Sequence, residues 1–582
     1  MSTNFLKVKN NALSSLASGI TNSATSLSVI AGEGSRFPSE YPFHVSIDDE
    51  ILECSSRSTD TLTVSREAES TSAVAHSAGA PVALTISAQI ITDLQDGKAR
   101  CATIVVAASD ASTNSKLGAD YVCDGTADDV QIQAAIDALP AGGGRVVLSE
   151  GTFNITVPLT IGSNISLEGQ GANTTLFLVA ATNTDILDNI DQGAGNTAII
   201  IRNLKFDGNK ANQSAGSLHA VHFVIVTNSL LENLWIVNIY GSDDVYLDNS
   251  DENIVDRIMG SSGSGAVVAL SESDRNIIKG VQAEGYVELV DLNLNCNYNN
   301  INNNIGKTLS QEGIDLNGSS YNSIEGNIII DSNIGITVNG AAAGAIGTSV
   351  HNKIIGNTII NPTDIGIKKM SELSSTTRYN IFQGNSVYSA GSHGIAIQDE
   401  GYETFDGNVA QGGGAAGIIV GDTCHYNNLV NNQLIGNVGR GIDLRASTYN
   451  NVNNNQVLDN TGYGIREGAA NYNNILSNVV TGNGAPQIAK AGANTIVRNN
   501  QGYVTENSGT ATVLNTATSI AVAHGLAATP TRVQITPREN PTNAVSFWWV
   551  DTIGAANFTI NIDADPGASG LDFDWHVQVG EG

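Results

Sequence analysis

Two Asp-Leu-Asn triplets, at 291–293 and 315–317, each follow a glutamate placed three residues before the aspartate, Glu288 and Glu312. If the two segments lie side by side, four carboxylates crowd one surface. Carboxylates about 5 Å apart repel, so at neutral pH one is expected to hold a proton while its neighbour stays ionised. A protonated acid beside an ionised base or nucleophile is what hydrolysis of a glycosidic bond requires. The same oxygens would also suit Ca²⁺, a hard cation. In a chain with 57 acidic residues, the cluster can equally be plain solvated surface.

Whether the triplets meet depends on a repeat. Asn recurs at 203, 233, 304, 327, 357, 385, 408, 432, 455, 478 and 499, with Asp256 and Gly280 filling two gaps, at spacings mostly of 21 to 24 residues. Eight or nine residues beyond most of these positions comes Gly-Ile-x-apolar, as in GIDL (313–316), GITV (335–338), GIAI (394–397), GIIV (417–420) and GIDL (441–444). A short period with one turn residue and one short apolar stretch predicts a parallel β solenoid. Alternation along a strand points the apolar partners inward and x outward. The outward row then reads Tyr246, Val267, Asp291, Asp315, Thr337, Lys368, Ala396, Ile419, Asp443, Arg466. Coils stack about 4.8 Å apart, which places Asp291 over Asp315. Around them Asn293, Asn317, Thr337, Asn339 and Lys368 are candidate substrate contacts, with Tyr246 and Tyr286 as ring platforms. The Asn row itself reads as a structural corner, because Asn tolerates left-handed backbone and its amide can bond along the stack. The tyrosines of Tyr-Asn-Asn (298, 426, 449, 472) read as a structural stack.

Composition narrows the classes. With 27 Lys and Arg against 57 Asp and Glu, the net charge is −30 and the pI about 4.4, which disfavours nucleic acid and acidic membranes as partners. Only 14% of residues are charged and 61 are Gly, a vocabulary of turns and strands rather than of helices. The five cysteines (54, 101, 123, 296, 424) show neither metal spacing nor an even count, so no cofactor is expected beyond Ca²⁺ at the carboxylates. The first twenty residues lack an apolar signal core, and no apolar run is long enough to insert in a membrane.

Residues 119–155 place DGTADD (124–129), a helical pattern and AGGGRVVLSEGTFNI in order, followed by LTIGSNISLEGQG (159–171). Thr126 is the expected helix cap, with Val130, Ile132, Ala135, Ile136 and Leu139 on the buried face. This order resembles the opening of pectate-lyase-superfamily right-handed parallel β-helices, a version common in bacteriophage tailspikes. The segment after 502, including AHGLAATPTRVQITP (523–537), is similar to small β-sandwich domains at the ends of tail fibres and tailspikes.

The resemblance implies an all-β chain: an N-terminal β domain for attachment (1–95), a linker and first strand (96–118), a β-helix capped by one α-helix (119–501), and a C-terminal β domain (502–582). It further implies a homotrimer on a virion or surface appendage, outside the host cell, recognising and cleaving a polysaccharide through carboxylates on an outer face. Glu288, Asp291, Glu312 and Asp315 occupy such a position, although the paired-Asp pattern of polygalacturonases is absent. The alternatives are a non-catalytic adhesive fibre and a lyase or epimerase; Lys368 would serve the lyase. Trp548, Trp549 and Trp575 are expected in the terminal domain's core, and His524 and His576 in structural roles.

Overall fold

The computed structural model describes residues 5–96, 102–340, 347–371, 377–540 and 545–579. Cys101 and residues 97–101 of the expected linker lie outside them. The chain divides into two compact units, residues 1–101 and 102–582.

The first unit is a six-stranded antiparallel sheet in the order Leu13–Ser15, Pro81–Ala83, Phe43–Ile47, Glu50–Ser58, Thr61–Ala68, Ser26–Ser28. Phe37, Phe43, Val45, Leu52, Leu62 and Val82 are buried in its core. The run 80–91, read from sequence as one strand, yields only Pro81–Ala83 and then a helix, Ala88–Asp96.

The second unit is a solenoid of parallel strands. One face stacks fourteen of them, from Leu159–Ile161 to Gly484–Ala489, and the other strands of each coil form two further parallel stacks. The strand Thr103–Ala107 already pairs in parallel with Gly144–Leu148, so the first winding starts within the expected linker. Helix Asp129–Asp137 buries Ile132, Ala135 and Ile136 against this opening, whereas Val130 is 59% exposed. Thr126 does not cap the helix; its hydroxyl donates to Asp124. Asp128 instead accepts from the amides of Gly125 and Asn154, each at 2.8 Å. A second short helix spans Thr113–Leu117.

Two corners of most coils repeat a single device, a left-handed residue followed by a buried asparagine, with Val281 after Gly280 and Glu403 after Tyr402 as exceptions. At one corner the left-handed residues include Tyr298, Tyr321, His351, Tyr379, Tyr402, Tyr426, Tyr449 and Tyr472, and at the other Gly280, Asn303, Gly326, Gly356, Gly384, Gly407, Asn431, Asn454, Ser477 and Asn499. The sequence row of Asn had therefore mixed two adjacent offsets: Asn203, Asn233 and Asn499 are left-handed corners, while Asn304 through Asn478 are the buried residues that follow, continued by Asn500. Left-handed backbone costs a residue with a Cβ about 1–2 kcal/mol. At the tyrosine corner, stacking offsets it: the eight rings from Tyr298 to Tyr472 follow one another at centroid spacings of 5.0–5.4 Å.

Each buried Asn uses its amide fully. Asn408 donates its backbone N–H and Nδ2 to Oδ1 of Asn432 one coil on, at 2.9 and 3.0 Å, and Nδ2 also to the carbonyl of Phe382 at 2.8 Å. Removing one member orphans groups on both sides, at about 1–3 kcal/mol each. Asn432→Ala is accordingly expected to cost about 2–3 kcal/mol in denaturant unfolding, with Tyr426→Phe near neutral.

Two adjacent coils share an ion pair in the core. Lys369 occupies the inward position held by Val338 and Ile397 in neighbouring coils, and Glu403 takes the place of an Asn in the corner row, accepting from the amide of Asn380 at 2.6 Å. Both side chains are buried, 3.6 Å apart.

After the solenoid come two three-stranded antiparallel sheets, Glu506–Val513, Leu571–Gln578 and Arg532–Pro537, then Ser519–Ala523, Asn557–Ile562 and Trp548–Asp551. Val513, Phe558, Ile560, Phe573, Trp575 and Val577 form the core here. Trp548 and Trp549 do not join it; they lie 40% and 47% exposed on a strand at the margin of its sheet. His524 is buried, its Nδ1 accepting from the amide of Leu526, and His576 lies 2.6 Å from Glu506.

Candidate functional site

The fourteen-strand face aligns its outward residues as Asp188, His222, Tyr246, Ala269, Asp291, Asp315, Thr337, Lys368, Ala396, Ile419, Asp443 and Arg466. The sequence-derived row matches this order except at one coil, where Ala269 and not Val267 takes the place. In AVVAL (266–270) no Gly-Ile marks the register, and Val267 is buried. Asp291 and Asp315 are direct partners on adjacent strands. Two positions upstream of the inward row, Ala266 pairs with Glu288 and Glu312 with Ile334, so both glutamates sit at one offset beside the aspartates.

The outward row is recessed, not solvated. Asp315 is 9% exposed and Thr337 is fully buried, its hydroxyl unpartnered. Asn293 donates to Asp291 and Asn317 donates to Asp315 at 2.7 Å, while Asn339 reaches Asn317 at 3.3 Å, so the three asparagines brace the acids. One oxygen of each aspartate, Oδ1, is buried without a hydrogen bond. Burial first, and then the charge of Asp315, pushes Glu288 up to about 8. Burial and the charge of Glu312 push Asp315 up to about 7, opposed by the Asn317 hydrogen bond and by Lys368. Asp291 is raised well above the ordinary range by burial, with Glu288 and Asp315 adding to it. Protonation is thus divided among neighbours around neutral pH.

Of the proposed platforms, Tyr246 lies on the face, stacked with His219 and His222 at 5.1 and 5.3 Å. Tyr286 does not. It is 2% exposed in the solenoid core, its hydroxyl donating to Asp244 at 2.6 Å, and it offers no platform.

Sequence reasoning missed an extension of this acidic surface. Asp185, His219 and Asp243 precede Asp188, His222 and Tyr246 by three residues, the separation of Glu288 from Asp291, and that shared spacing was the available signal. Asp185 lies 3.2 Å from Nδ1 of His222 and raises its pKa, while burial, reinforced by Asp185, pushes Asp188 up to about 7. Among the described residues, Asp185, Asp188 and His222 are the one set of three with ligand atoms within 4.8 Å of one another. These residues could hold a cation; the Glu288 quartet does not converge in that way.

Farther along the face the outward positions turn apolar. Ile334, Ile365, Ala396, Ala416 and Ile419 form a separate buried cluster. Arg440, Asp443, Arg445 and Arg466 follow it.

Residues 344–502 match the family described as right handed beta helix region. No curated protein matches the chain in sequence. Similar solved structures include a mutant tailspike protein of E. coli bacteriophage HK620 in complex with a pentasaccharide, at 12% identity, covering 78% of this chain and 90% of that one with a TM-score of 0.49. The mannuronan C-5 epimerase AlgE6 A-module of Azotobacter vinelandii aligns at 17% identity over 65% and 95% of the two chains, TM-score 0.37. An exopolygalacturonase of Thermotoga maritima aligns at 13% over 49% and 83%, TM-score 0.40. The parallel coils and the match over residues 344–502 together make the fold of the second unit a right-handed parallel β-helix, with one helix packed at its opening.

Proposed function

We propose that this face binds a polysaccharide and hydrolyses a glycosidic bond. The observation that carries the reading is the pair Glu288 and Asp315, a half-buried and a buried carboxylate on adjacent coils whose protonation divides near neutrality. Glu288 is the acid that protonates the leaving oxygen. Asp315, kept ionisable by Lys368 and Asn317, is the base or nucleophile. Glu312 raises both through its charge, Asp291 stands between them as a third recessed acid, and Tyr246 offers a ring to a sugar. Activity is expected to rise as Asp315 ionises through about pH 7 and to fall as Glu288 loses its proton through about pH 8. A pH profile of reducing-end release on a glycan panel checks this, and a rate flat from pH 5 to 10 would count against the pair.

Following ultraviolet absorbance on the same panel separates hydrolysis from a lyase using Lys368, and saturable binding without product marks an adhesive fibre. A rate abolished by chelation and restored by Ca²⁺ would bring a cation into the reaction, with replacement of Asp188 against replacement of Glu312 telling the Asp185 set from the quartet. On this reading the first unit serves attachment to a virion or surface appendage. The protein acts outside the host cell as a homotrimer, with Trp548 and Trp549 available at a subunit contact; light scattering at three times the chain mass is the expected result.

A further inference from the structure

Between residues 380 and 489 the sequence holds three basic residues apart from histidine, Arg440, Arg445 and Arg466, against eight acidic ones. All three arginines belong to two successive coils of the fourteen-strand face, around outward Asp443, which pairs directly with Arg466. Chance scatter over the sides of a coil does not favour such convergence, and like charges brought together repel. Asp443, 1% exposed, answers part of that charge. Its Oδ2 accepts from Arg440 at 3.0 Å and its Oδ1 faces Arg466 at 3.6 Å. Arg445 is different. Its side chain is exposed and, among the described residues, donates no hydrogen bond and joins no ion pair. It acts back along the face, where after burial it is the leading cause holding His393 below its ordinary pKa. The Nδ1 of His393 accepts from the amide of Ala416 at 3.1 Å, which leaves Nε2 as a second donor.

Three guanidiniums outnumber the nearby carboxylates, Asp443 between two of them and Asp422 on the amide of Ala446, and leave a positive local charge with the five N–H donors of Arg445 unused, in a chain whose net charge is −30. We infer that this cluster is a subsite for an oxyanion substituent of the saccharide, a carboxylate or a sulfate, and that the polysaccharide is acidic. The planar fork of arginine matches such groups. Asp443 and Asp315 lie five coil steps apart, about 24 Å, and the apolar cluster around Ile419 lies between them. The inference rests on the proposed function, since it names the substrate class for the same face.

Arg445 is the residue to test, because replacing Arg440 or Arg466 uncovers the buried Asp443. Affinity electrophoresis of the full chain in gels containing polygalacturonate, hyaluronate, dextran sulfate or neutral dextran compares the parent with Arg445→Glu, Arg445→Lys and Asp315→Asn. The parent is expected to be retarded by at least one acidic polymer and not by dextran, with affinity falling as salt rises. Polygalacturonate or hyaluronate against dextran sulfate tells carboxylate from sulfate. Arg445→Glu should weaken binding at least tenfold and Arg445→Lys much less, while Asp315→Asn, compared with the parent in a cleavage assay on the same polymers, reports on the hydrolytic site. Equal binding by the parent and Arg445→Glu, or no binding of the parent to any acidic polymer, overturns the subsite. If Arg445→Glu binds normally while Asp315→Asn alone loses cleavage, the subsite falls and the hydrolytic reading survives. If Arg445→Glu loses binding while Asp315→Asn still cleaves, the reverse holds.

Discussion

Asp315→Asn is expected to abolish polysaccharide cleavage, by about three orders of magnitude, and at the same time to make the protein harder to unfold at pH 8. The two effects have one cause. In the folded chain Glu288 and Asp315 titrate near 8 and 7, above the ordinary carboxylate range of an unfolded chain. Between about pH 4 and 8 the folded state therefore binds more protons than the unfolded one, so its stability falls as pH rises through that window. Asn keeps the shape and removes the ionisation. Thermal unfolding should show Asp315→Asn melting a few degrees above the parent at pH 8, with the difference vanishing at about pH 3, below both sets of titrations. A variant that is inactive and less stable at both pH values would mark Asp315 as a structural acid. The Asp291→Asn variant is expected to follow the same pattern, its carboxyl being likewise raised by burial and by its acidic neighbours.

The second large effect lies in the core pair. Burial pushes Glu403 up to about 8 and lowers Lys369, each opposed by the other's charge. Removing either partner alone leaves an uncompensated buried group, and Lys369→Ile or Glu403→Asn should each cost about 3–5 kcal/mol. The double variant Lys369→Ile/Glu403→Asn restores what neighbouring coils carry, an apolar inward residue as at Ile397 and an Asn that can bond to Asn380 and Asn427. It should be at least as stable as the parent. Denaturant midpoints of the four proteins give the coupling directly, and additive losses would refute it.

How far the sequence could be read follows from where its repeat is strict. Gly-Ile-x-apolar fixed the inward and outward sides at Asp315, Thr337 and Asp443, because a Gly packed under the next coil allows one register: a Cβ on Gly313 would lie 2.4 Å from the carbonyl of Gly335. Where the motif lapses, at AVVAL (266–270), period two alone could not separate Val267 from Ala269. The corner asparagines were legible as structure, but their neighbours share the residue type, so the left-handed Asn303 and the buried Asn304 merged into one row. Tyr286 lay near the acids in sequence, yet its hydroxyl had a partner inside the solenoid, Asp244, that no local pattern revealed. Trp548 and Trp549 defeated a rule about average burial. The arginine cluster was visible in part, as Asp443 and Arg466 of the outward row, but Arg440 and Arg445 stand outside the x position.

Because successive windings between Asn408 and Asn500 hand their hydrogen bonds on through the same Oδ1, one winding there is an interchangeable spacer. Excising the 23 residues that separate Asn432 from Asn455 would rejoin like with like. A deletion placed between Thr337 and Asp443 would bring the two charged patches closer by a single fixed increment. In such a molecule reach along a sugar chain is quantised, and lineages can adjust it by adding or losing whole turns without redesigning the interior.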